Sequence, residues 1–116
     1  MTSRELNARR AVGYCRVSTK AQAASGLSLG EQEAEIGRLC ERKGFDLIDM
    51  RIEPGASGRS GRRPVLQKLV QDAASAQRTF DVVVFLNFSR FFRNLFESEF
   101  YRAKFLRHGV EMVSAT

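Results

Sequence analysis

The chain has 116 residues, 43% hydrophobic and 28% charged, with a formal net charge of +6, which is enough for one domain with a real core and too little for two. Two cysteines and one histidine exclude a disulfide scaffold and a zinc site, and no apolar run approaches the roughly 20 residues that a membrane helix needs. Of the 19 basic residues, 15 are arginines, a bias that favours phosphate recognition because the planar guanidinium grips phosphate oxygens with paired hydrogen bonds.

Residues 1–10 are polar and basic and read as a flexible arm, and the opening "MTSRELNARR" has no apolar signal segment, so a cytoplasmic protein with reduced thiols is expected. The folded part, 11–116, opens with "AVGYCRV", a first strand. Alternation along that strand sends Arg16 and Ser18 to one face, setting a guanidinium beside a hydroxyl where the strand stops. A polar loop follows, and then "SLGEQEAEIGRLCERKG" spaces Ile36, Leu39 and Cys40 for one helical face, with Ser28 as N-cap and Gly44 as terminator. "FDLIDMRIE" is the second strand, and "PGASGRSGRR" is a glycine-rich loop carrying Arg59, Arg62 and Arg63.

Pro64 suits a helix start, and Leu66, Leu69, Val70 and Ala73 form the buried stripe of a helix that runs to about Gln77. The continuous apolar run in "FDVVVFLN" predicts a strand buried on both faces. "FSRFFRN" interrupts the pattern. A helix then begins near Leu95 and ends at Gly109, with Phe92, Phe96, Phe100, Ala103 and Leu106 expected to face the core, and "VEMVSAT" is a fourth strand. Strands alternating with helices imply an α/β fold, a mainly parallel sheet with helices on both faces in a flavodoxin-like three-layer arrangement.

In such folds ligands meet the carboxyl ends of the strands. Ser18 follows the first strand, the arginine loop the second and "SRFFR" the third, so Arg16, Arg63, Arg90 and Arg93 are expected to gather around Ser18 as an anion site. Phosphoryl transfer needs a nucleophile and stabilisation of charge in the transition state, and arginines supply the second without a metal. The rest of the sequence offers little competing chemistry. His108 stands at the end of the last helix and reads as a surface or capping residue. A C-x5-R phosphatase loop from Cys15 would need arginine where Ala21 stands, which leaves Cys15 as a small core residue, and the glycines of "SGLSLG" do not form a P-loop. The same features leave a noncatalytic phosphate- or nucleic-acid-binding module as an alternative.

"YCRVSTKAQ", "SLGEQ", "ASGRSGRRPVLQKL", "VVVFLNFSRFFRN" and "GVEMVSAT", in this order and spacing over residues 11–116, resemble the catalytic domain of serine site-specific recombinases, the resolvase and invertase family. The resemblance implies a resolvase-like fold and a site-specific DNA recombinase of mobile genetic elements. Ser18 matches the nucleophile that attacks a DNA phosphodiester to give a 5′-phosphoserine and a free 3′ hydroxyl. Arg16, Arg63, Arg90 and Arg93 match the arginines that activate the serine and bind the scissile phosphate, with Gln32, Ser57 and Ser89 in supporting positions. No metal or other cofactor is implied, because the phosphoserine conserves the bond energy for rejoining.

The long loop from Ser18 to Gln32 and its "ASGLSLGEQ" are most like the large serine recombinases, and Ser89 stands where small members often carry an acidic residue. The resemblance further implies double-stranded DNA as partner, a homodimer and synaptic tetramer in the full-length protein, and a bacterial or phage-type, nucleoid-associated setting. Family cores continue into a dimerisation helix and a DNA-binding domain, so a chain of this extent is expected to be a truncated catalytic core, monomeric or weakly associated and inactive or weak by itself.

Overall fold

The computed structural model describes residues 8–17, 28–54 and 63–116, with Arg90 in backbone only. The elements, in order, are β1 (Arg10–Val17), α1 (Leu29–Lys43), β2 (Asp46–Pro54), α2 (Pro64–Ala74), β3 (Val82–Phe85), α3 (Phe88–Phe91), α4 (Leu95–Arg107) and β4 (Glu111–Ser114). All strand pairs are parallel and the sheet order is β2-β1-β3-β4. Helix α1 covers one face, where Ile36, Leu39 and Cys40 pack on Ala11, Cys15, Val82 and Val84. Helices α2, α3 and α4 cover the other, where Leu66, Leu69, Phe91 and Phe105 pack on Val12, Tyr14, Val83 and Phe85. This is the expected three-layer α/β fold.

Local chemistry explains most of the boundaries. Ser28 accepts the Glu31 N–H at 3.2 Å while the Glu31 carboxylate accepts the Ser28 N–H at 3.2 Å, a reciprocal cap that starts α1. Gly44 ends it at φ 73°, a left-handed conformation that costs glycine nothing. The close seat of α1 depends on Gly13. A Cβ there would lie 2.4 Å from Met50 Sδ and 3.0 Å from Ile36 Cγ2. Strand β3 is buried along its whole length, as its unbroken apolar run requires. Strand β1 starts at Arg10, one residue earlier than expected, and Arg9 and Arg10 are tied to Glu111 at 2.6 Å and Asp81 at 3.7 Å.

Several boundaries and one face differ from expectation. Helix α2 stops at Ala74 rather than near Gln77, because Ser75 turns extended and its N–H bonds Asp72 O at 3.2 Å. Strands β3 and β4 are shorter than their apolar runs. In α4, Phe96, Phe100, Ala103 and Leu106 do not face the core: Phe96 is 83% exposed, and Ser98, Tyr101 and Phe105 turn inward instead. Of the expected face only Phe92 is buried. Its ring stacks on Tyr101 at 5.5 Å, and the Tyr101 hydroxyl accepts a hydrogen bond from Gln67 of α2 at 2.8 Å, which fixes the rotation of α4. A helix with apolar residues on two sides leaves its inward side to its neighbours.

Candidate active site

Strand order sets the location. The chain leaves β1 toward β2 on one side and returns past it to β3 on the other, so the connections after β1 and β3 run to opposite faces, the switch point at which such sheets form a ligand crevice. Arg16 lies at the end of β1, Arg63 immediately before α2, and Arg90 and Arg93 in the segment after β3. Ser18 and Ser57 lie outside the described residues, as do Arg59 and Arg62.

Arg16 is held through its backbone. Pairing of β1 with β3 ends at Tyr14 and Phe85, two residues short of Arg16. The buried amide of Gln32 takes over. Its Oε1 accepts the Arg16 N–H at 3.3 Å and its Nε2 donates to Arg16 O at 3.0 Å, so a side chain from α1 completes the ladder where the strand has run out. The half-buried Arg16 side chain lies on the same face of β1 as Tyr14.

Arg63 depends on a carboxylate that the sequence did not single out. Glu53, at the end of β2, is only 2% exposed. Its Oε2 accepts the Val65 N–H at 3.0 Å and its Oε1 accepts the Leu66 N–H at 3.1 Å, and the Tyr14 hydroxyl donates to Oε1 at 2.8 Å. Helix α2 therefore receives its cap from a neighbouring strand, because the residue at its own cap position, Arg63, offers no acceptor. Burial, followed by the hydrogen bond to Glu53, pushes the Tyr14 hydroxyl far above its ordinary pKa of 10.0, while Arg63 and Arg16 pull in the opposite direction.

Arg63 has φ 44°, a rare left-handed backbone for a residue with a side chain. Its guanidinium lies 5.6 Å from the centroid of the Phe92 ring and 3.3 Å from Glu97 Oε1. Glu97 also accepts the Arg93 N–H at 2.8 Å. The structure thus links Arg16 with Gln32, and Arg63 with the Arg93 segment. Ser89 is exposed, donates its hydroxyl to Asn87 Oδ1 and lines the same cleft as Arg93. Beside exposed Arg93 opens a cleft of about 290 Å³ lined by Phe88, Phe92, Leu95, Arg93 and Arg102.

The residues missed from sequence are Tyr14, Glu53 and Glu97. One signal was available: α2 begins with "RRP", without Ser, Thr, Asp or Asn to cap it, so its first N–H groups need an acceptor from elsewhere. Among the described residues no cluster of three His, Cys, Asp or Glu side chains could hold a metal ion, and no helix is long and apolar enough to cross a membrane. His108 caps α4 at the opposite edge of the sheet, where its carbonyl accepts a hydrogen bond from Arg78. Cys15 is a buried core residue whose thiol is pushed up to about 12 by burial and by the Glu33 carboxylate.

Comparison with known proteins agrees with this fold. The family model described as "Resolvase, N terminal domain" matches residues 11–116. An immunity region protein of Bacillus phage phi105 is 33% identical over 58 residues, half of this chain and 71% of that protein. The N-terminal catalytic domain of TP901-1 integrase superposes with a TM-score of 0.76 at 27% identity, over 92% of this chain and 78% of that one. The C-terminal catalytic domain of ISC1926 TnpA, an IS607-like serine recombinase, gives a TM-score of 0.70 at 28% identity, over 92% and 67%. A resolvase family recombinase from Streptococcus pneumoniae, at 20% identity and a TM-score of 0.73 over 92% and 72%, shares the fold.

Proposed function

The chain belongs to the resolvase N-terminal domain family as the catalytic domain of a serine site-specific recombinase, and from that premise we propose that it cleaves and rejoins double-stranded DNA through a 5′-phosphoserine at Ser18. The Ser18 oxygen attacks phosphorus and displaces the 3′ oxygen. The serine proton is given up to solvent, and the departing oxygen takes one up as the 3′ hydroxyl forms. Attack by a 3′ hydroxyl on the phosphoserine reverses the step, so rejoining requires no ATP.

Arg16, Arg63, Arg90 and Arg93 bind the scissile phosphate and offset the charge that builds on its oxygens, where each well-placed donor contributes on the order of a hundredfold in rate. Gln32 supports the site by holding Arg16, and Ser57 and Ser89 are its other polar neighbours. The observation that supports this reading is the link of Arg63 through Glu97 to the segment bearing Arg93, with Arg16 one residue from the end of the strand that leads to residue 18. A noncatalytic binding module is the less supported reading, because the structural neighbours are catalytic domains.

Residues 11–116 act within a larger assembly in this proposal, a homodimer that pairs into a synaptic tetramer, in a cytoplasmic, nucleoid-associated setting. The 116-residue chain alone is monomeric or weakly associated, although Leu95, Phe96 and Phe100 on α4 present apolar surface. The test is covalent trapping. The intact gene product is incubated with duplex DNA carrying its recombination site and quenched in detergent. Protein joined to 5′ ends is expected from the parent, and none from Ser18→Ala, which retains DNA affinity because one neutral hydroxyl makes few phosphate contacts. Protein-linked ends from Ser18→Ala, or a magnesium requirement in the parent, overturn the mechanism.

A further inference from the structure

Arg63 is a cation that its own chain neighbours hold poorly. It carries a left-handed φ of 44°, precedes a proline and has no side-chain hydrogen bond to the helix it caps. Its side chain is nonetheless only 18% exposed, because two residues from the far side of the crevice enclose it. The Phe92 ring lies against it, and the Glu97 carboxylate, 27% exposed, approaches at 3.3 Å.

Glu97 is itself firmly placed. It stands in the first turn of α4, where its own N–H bonds Asn94 Oδ1 at 2.9 Å, and its Oε1 accepts the Arg93 N–H at 2.8 Å. One carboxylate oxygen therefore meets the guanidinium of one proposed phosphate-binding residue and the backbone of another. The two arrive from segments 30 residues apart, after β2 and after β3.

We propose that Glu97 is a positioning residue for strand cleavage, fixing the Arg63 guanidinium relative to the Arg93 segment so that both address one phosphate. The proposal rests on the reading of Arg63 as a phosphate-binding residue. A guanidinium carries five N–H donors in a planar fork, so the part engaged by Glu97 leaves other donors for a phosphate oxygen. The carboxylate also lowers the net positive charge around the phosphate. Removing that charge leaves ground-state attraction for DNA at least as strong, while Arg63 loses its fixed direction. Loss of orientation at the reacting centre slows chemistry more than it weakens binding.

The experiment measures duplex DNA affinity and the single-turnover rate of covalent complex formation for the intact gene product and for Glu97→Gln, Arg63→Ala and the double variant. Glutamine keeps an oxygen for the Arg93 N–H and nearly the same volume. Glu97→Gln is expected to bind DNA as tightly as the parent or more so and to cleave about tenfold more slowly. In the Arg63→Ala background it should slow cleavage no further, because its target is gone. An unchanged rate in Glu97→Gln, or an equal loss with and without Arg63, overturns the proposal. Arg63→Ala serves as the separate control: cleavage as fast as the parent removes the reading of Arg63 itself. If Glu97→Gln fails to fold, Glu97→Asp keeps the charge but shortens its reach, and the same dependence on Arg63 decides the matter.

Discussion

The Tyr14 hydroxyl and the Glu53 carboxylate meet at 2.8 Å in the core, joining the centre of the sheet to the cap of α2. The two make unequal contributions. Tyr14→Phe removes one hydrogen bond and leaves Glu53 its two backbone donors, so a loss of about 1–2 kcal/mol is expected in urea denaturation. Glu53→Ala strands a buried hydroxyl and two helix N–H groups, and about 3–5 kcal/mol should be lost. Equal effects from the two substitutions would mean that α2 finds its cap elsewhere.

Gln32 makes a prediction at a single amide. With Gln32→Ala, the N–H and C=O of Arg16 lose their partners, and hydrogen exchange at Arg16 should accelerate far more than at Val12 or Tyr14, which stay within the β1/β3 ladder. Uniform acceleration along β1 would indicate global destabilisation instead.

Arg90→Ala tests the proposed arginine site directly. In the intact gene product, cleavage should fall by on the order of a hundredfold or more, while DNA binding weakens only modestly. A proportionate loss in both would reduce Arg90 to a DNA contact.

Stability should decline on the alkaline side. Burial and then Glu33 raise the Cys15 pKa from 9.0 to about 12, and burial with Glu53 raises that of Tyr14 from 10.0. Both must stay protonated in the core, so their stabilising effect is fully present below pH 9 and is lost as pH climbs toward 12, where only the unfolded chain ionises freely. A melting temperature unchanged from pH 8 to pH 11 would contradict this.

On α4, Phe105→Ala should cost about 3–5 kcal/mol by opening a cavity, whereas Phe96→Ser should stay within about 0.5 kcal/mol. From the sequence, Phe96 was expected in the core and Phe105 was not singled out. Periodicity located α4 and its ends, as it located the stripes of α1 and α2, because those features are written in neighbouring residues. It misjudged the inward side of α4 because apolar residues line two sides, and the choice belongs to Phe92 and Gln67, which come from other elements. Site residues divide the same way. Arg16, Arg63, Arg90 and Arg93 were open to selection as candidates from their places at or after the strand ends. Glu53 and Glu97 were not, since each acts on groups brought near only by folding.

Cys15 and Cys40 are the chain's only thiols, and both are sealed beneath α1. To a sulfhydryl reagent the folded protein is accordingly almost blank. A cysteine placed on an exposed position of α4, such as Phe96→Cys, becomes the single reactive handle, ready to carry a fluorophore or spin label without first removing the native pair. The distance between such labels in two copies would then report assembly on DNA directly, with a background set only by the rate at which α1 opens.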